Sequence, residues 1–76
     1  MSRCRIYGKR IYSNDIDLPV QKTFKALDQT GHRVNRLADA FVYAEESDAQ
    51  EVIDKVTKIH KKQGIQICAF EIRKVK

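Results

Sequence analysis

Residues 17–45, DLPVQKTFKALDQTGHRVNRLADAFVYAE, decide the fold, because the segments on either side of them are easier to assign. Asp17 offers a helix N-cap, and Pro19 sits in what would be the first turn, where a missing N–H costs little. Val20, Thr23, Phe24 and Leu27 recur at helical spacing, and Gly31 supplies a stop. The spacing predicts a helix over about residues 18–30. Beyond the glycine, residues 32–37 (HRVNRL) and 40–45 (AFVYAE) read as two short strands, with Ala38-Asp39 in the turn between them.

Working outward, residues 3–12 (RCRIYGKRIY) nearly alternate and are rich in β-branched and aromatic side chains, which predicts a strand. On the other side, Ser47 with Gln50 three residues on has the form of a capping box. Ala49, Val52, Ile53, Val56 and Ile59 (or His60) then draw one apolar stripe of a second helix. Glu51/Lys55 and Asp54/Lys58 are favourably oriented pairs on it, Lys61 and Lys62 suit its C-terminus, and Gly64 ends it. Residues 65–75 (IQICAFEIRKV) are apolar almost continuously through Ile72 and form the last strand. The order β-α-β-β-α-β predicts an α+β, ferredoxin-like single domain over residues 1–76. Its four-stranded antiparallel sheet would carry both helices on one face, with the first and third strands central and the last beside the first.

The chain has 76 residues, 42% of them hydrophobic, enough for a core and too many for a disordered tail. No run approaches the roughly 18 apolar residues of a membrane span, and residues 1–18 lack the apolar block of a signal peptide. Two cysteines are too few for a disulfide scaffold, so a reducing cytoplasm is the expected setting. Fifteen Lys and Arg against ten Asp and Glu give a net charge of +5. The surplus sits at the ends. Arg3, Arg5, Lys9 and Arg10 lead the chain without an acid, and Lys61, Lys62, Arg73, Lys74 and Lys76 close it against Glu71 alone. The acids Asp39, Glu45, Glu46, Asp48, Glu51 and Asp54 cluster where a helix N-terminus would welcome them.

With helices on one face, the strand side chains divide by alternation. On the first strand Cys4, Ile6 and Gly8 suit the core, leaving Arg3, Arg5, Tyr7 and Lys9 on the open face. On the third, Ala40, Val42 and Ala44 suit the helix side, leaving Phe41 and Tyr43 open. On the last, either phase is apolar; choosing Cys68, Phe70 and Ile72 as core leaves Ile65, Ile67, Ala69, Glu71 and Arg73 open. An exposed face with three rings and a basic fringe wants a covering. Single-stranded nucleic acid would stack bases on the rings while cations hold phosphates. A second copy of the chain would cover Ile65 and Ile67 instead.

Residues 40–56 (AFVYAEESDAQEVIDKV) resemble the third strand and second helix of an RNA recognition motif, and residues 5–8 (RIYG) resemble the ribonucleoprotein motif on that family's first strand. The resemblance implies base stacking at Tyr7 and Phe41. Where the family begins its third strand with a basic residue, glycine and an aromatic, this chain has Leu37-Ala38-Asp39. Residues 3–8 followed by 34–45 also resemble an acylphosphatase. Its phosphate loop would fall on residues 10–17 (RIYSNDID), which hold no glycine, and Arg36 occupies the register of its catalytic asparagine, with Asn35 one place off. That likeness implies shared architecture without the activity.

Other constellations are sparse. Cys4 and Cys68 fall at opposite ends of neighbouring strands, so they are expected as separate core residues. Cys4, His32, His60 and Cys68 show no metal-ligand spacing. His32 beside Arg33 and Arg36 could touch phosphate, and Asp15 and Asp17 could hold a divalent ion, though Asp17 is better used as a cap. The expectation is a cytoplasmic, non-enzymatic module without cofactor, metal, membrane contact or small-molecule substrate. It would bind single-stranded RNA or DNA through Arg3, Arg5, Tyr7, Lys9, Arg10, Arg36, Phe41, Tyr43 and Arg73. The alternative is a regulatory protein that forms a homodimer through the same face.

Overall fold

A computed structural model describes residues 3–75. Strand β1, Cys4–Ser13, runs through the middle of the molecule. Strand β3, Gln66–Lys74, lies antiparallel beside it, from Cys4 opposite Lys74 to Ser13 opposite Gln66, with an irregularity in register between Arg10 and Tyr12. The short β2, Lys25–Ala26, pairs on the other edge, giving the order β2-β1-β3. Helix α1, Glu46–Gln63, connects β2 to β3 and covers one face.

Alternation along β1 falls as expected. Cys4, Ile6 and Gly8 are buried, while Arg5, Tyr7 and Lys9 point away from them. Gly8 is a packing requirement. A Cβ there would stand 3.2 Å from Phe70 Cδ1 and 3.3 Å from Leu27 Cδ1, so the missing side chain is what lets that ring and methyl close over the strand. The core is Cys4, Ile6, Leu27, Tyr43 and Ala49, with Val52, Ile53, Phe70 and Ile72 packed against it. Phe70 and Ile72 thus lie on the expected side of β3. Cys4 and Cys68 are free thiols, opposite Lys74 and Arg10 respectively. Gly64 ends α1 at φ 69°, its N–H donating to the His60 carbonyl at 2.9 Å. At the other end the capping box does not form. Glu45 occupies the N-cap without a side-chain bond, and Gln50 donates to Asp54 instead of reaching back. No helix of the described residues is long and apolar enough to cross a membrane.

Residues 17–45 depart from expectation, and with them the four-stranded, two-helix ferredoxin-like fold. Among the described residues there are a three-stranded sheet and one α-helix. No helix forms over residues 18–30. Asp17, expected as its cap, instead donates its N–H to Asp15 Oδ1 in a local turn. The cause lies on β1, whose second edge needs hydrogen-bond partners. Gln21 donates its N–H to the Arg10 carbonyl at 2.8 Å and accepts the Arg10 N–H on Oε1 at 2.7 Å. Leu27 N–H donates to the Ile6 carbonyl at 2.9 Å. A segment holding Pro19, Val20, Thr23 and Phe24 has little helical propensity to set against those bonds.

Gly31 is not a helix stop but the left-handed residue, φ 89°, of a tight loop. The Asp28 carboxylate accepts from Thr30 Oγ1, Thr30 N and His32 N, which holds its carboxyl below the usual range. The chain then returns beside β2, Val34 N–H donating to the Ala26 carbonyl at 2.9 Å. The expected strands 32–37 and 40–45 shrink to two isolated bridges, Leu27 to Arg33 and Cys4 to Tyr43. A 3-10 turn, Leu37–Asp39, falls between them where a turn was expected.

Candidate nucleic-acid interface

The face of the sheet away from α1 is built by the outward phase of β1 and its partners. Register sets Arg5 opposite Arg73, Tyr7 opposite Glu71 and Lys9 opposite Ala69. The Arg73 guanidinium lies 4.1 Å from the Tyr7 ring centroid and 5.8 Å from that of Phe24. Lys9 Nζ stands 4.8 Å from the Phe24 ring. Two rings are therefore interleaved with two cations at distances where ring quadrupole and charge attract.

Electrostatically the face is poised for an anion. Arg5 and Arg73 are direct cross-strand neighbours, an arrangement of like charges that costs stability unless something negative intervenes. Arg3, just before β1, continues the same phase. Glu71 supplies one carboxylate, whose Oε2 accepts from Arg73 at 3.1 Å. Arg5 Nε is shielded from solvent without a hydrogen-bond partner.

Of the residues expected at the site, Arg3, Arg5, Tyr7, Lys9 and Arg73 are brought together on this face, and four others are not. Tyr43 is 6% exposed and belongs to the core beneath Ala49. The phase of residues 40–45 is inverted, because a Tyr buries far more apolar area than the alanines beside it, and the tiny Ala49 leaves it room. Burial pushes its phenol pKa up, aided by the charges of Asp28 and Cys4. Phe41 shares that side, its ring 4.7 Å from Tyr43 in an edge-to-face contact. Arg10 faces the helix side, pinned by Nε to Gln66 Oε1 and by Nη1 to the Pro19 carbonyl. Arg36 is exposed at the 3-10 turn and pairs with Asp39 at 3.1 Å. Phe24, whose spacing predicts the stripe of a helix, also stands on this face beside Lys9 and Arg73. The signal that could have placed it is its position two residues before Ala26 in a segment able to pair with β1.

The chain matches no family model, no curated protein and no solved structure. Fold and face together define a small α+β domain whose sheet is covered on one side by a helix and carries rings and cations on the other.

Proposed function

We propose that the chain is a non-enzymatic module that binds single-stranded nucleic acid through Arg5, Tyr7, Lys9, Phe24 and Arg73. The observation that carries this reading is the pair of rings, each with a cation over it, on the face that α1 leaves uncovered. Bases would stack on Tyr7 and Phe24, each worth about 1–3 kcal/mol, while Arg3, Arg5 and Arg73 hold the phosphates. The test is oligonucleotide binding at two salt concentrations by the wild type and by a Tyr7→Ala, Phe24→Ala double variant, with Phe41→Ala as control. Salt-sensitive binding, lost in the double variant and kept in the control, supports the proposal. No binding by the wild type at low salt removes it, and binding that survives the double variant leaves only a generic cationic surface.

Pairing with a second copy is favoured by a different observation. β3 is an edge strand, and beyond the irregularity in register the opposed Tyr12 and Ile67 are 49% and 55% exposed. A doubled solution mass that Ile67→Asp returns to monomer would support this reading, and a monomeric wild type excludes it.

A further inference from the structure

We propose that the hollow on the helix side of the sheet, between the 30–33 loop and the C-terminal half of α1, binds a small organic anion, a carboxylate or phosphate ester carrying an apolar body. It lies across the sheet from Tyr7 and Phe24, and of the residues named for the nucleic-acid face it shares Lys9 at its border.

The cavity has a volume of about 450 Å³, within the span usual for small-molecule sites. Leu18 and Gln21, from the non-helical segment 14–24, line one side of it. Leu27, Val56 and Phe70 give it an apolar floor. Arg10, Arg33 and His60 reach it from three different parts of the chain, and among the described residues no carboxylate lines it. For a chain with ten acids, that exclusion around two guanidiniums is a charge imbalance built into a concave surface.

The polar groups are held in place yet incompletely used. Arg33 is tethered by Nη2 to the Thr23 carbonyl, while its Nε is shielded from solvent with no partner. His60 Nδ1 is likewise shielded and unpartnered. Arg10 is anchored by its bonds to Gln66 and Pro19, and its Nη2 makes no hydrogen bond among the described residues. A shielded guanidinium N–H without an acceptor carries a desolvation cost that an anionic oxygen would relieve. The groups also sense one another. Burial and the Arg10 charge depress the His60 pKa, while burial raises the Cys68 thiol against the opposing pull of Arg10 and Arg33. A bound anion would reverse the effect of Arg10 on His60.

The experiment is an NMR titration of the whole chain with inorganic phosphate, phenyl phosphate, benzoate and neutral benzyl alcohol, following the His60 ring and the arginine Nε signals. Phenyl phosphate or benzoate should move His60, Arg10 and Arg33 together and raise the His60 pKa, binding about tenfold or more tightly than inorganic phosphate. Benzyl alcohol should not shift that pKa. Arg33→Gln should weaken binding by about tenfold or more, given the worth of a charge-assisted hydrogen bond. Should that variant fail to fold, the wild-type map alone decides. Shifts confined to Arg5 and Arg73, or equal affinity for phosphate and phenyl phosphate, overturn the proposal. The first of those outcomes leaves the nucleic-acid face standing.

Discussion

Removing a single oxygen from Tyr43 separates a core role from a binding role. The ring is 6% exposed, and its hydroxyl is shielded from solvent without a hydrogen-bond partner. A buried hydroxyl in that condition costs about 1–3 kcal/mol. Tyr43→Phe keeps the ring and its edge contact with Phe41, so it should stabilise the fold by about 1 kcal/mol or more. In a chain of this length that raises Tm by about 4–8 °C. Tyr43→Ala removes the ring from Cys4, Ile6 and Ala49 and should cost about 3–5 kcal/mol. Total stability at ordinary per-residue values is about 4–11 kcal/mol, so the alanine variant should lose between about a quarter and all of it. Alkaline titration adds an independent check. Burial raises the folded phenol above its ordinary 10.0, so the folded chain keeps the proton longer than the unfolded chain. That contribution is complete below the unfolded value and is lost as pH rises through the higher folded one. Tyr43→Phe should therefore flatten the alkaline limb. Calorimetry and circular dichroism from pH 7 to 11 read all three effects. If Tyr43→Ala melts like the wild type but loses oligonucleotide affinity, the ring belongs to a binding face and the packing argument is refuted.

Gly8→Ala should destabilise by about 1–3 kcal/mol in urea denaturation, because its Cβ would press on Phe70 and Leu27 at 3.2 and 3.3 Å. An unchanged midpoint would mean that these side chains do not close over the strand. Burial first and Arg10 second hold His60 below its ordinary 6.5. The stability it contributes is complete above that value and lost as pH falls through the folded one, so acid denaturation should be shallower in His60→Gln. On the open face, Arg5→Gln should lower the salt slope of oligonucleotide binding by about one while Arg36→Gln leaves it unchanged. Equal effects would place the nucleic acid elsewhere.

The rings of the candidate face show how far local pattern carries. Tyr7 takes its expected side because β1 is long enough for its alternation to admit one consistent phase, with Cys4, Ile6 and Gly8 all on the opposite side. Tyr43 takes the side opposite to the expected one because residues 40–45 alternate equally well either way, and a single bridge to Cys4 sets the phase. Phe24 fits a helical stripe and an extended strand alike, so spacing could not choose between them.

The amino-acid order alone determined β1 with the faces it presents, the existence of β3, and the helix that Gly64 closes, since each follows from neighbours along the chain, whereas β3 is apolar in either phase and its pairing with β1 chose the core side. The tertiary structure decided the path of residues 17–45 and therefore the strand count, the second ring of the open face and the cavity beneath α1. Those depend on which segment satisfies the free edge of β1 and which side chain fills the space over Ala49. Both are competitions between parts of the chain far apart in sequence, and periodicity within a segment does not register them.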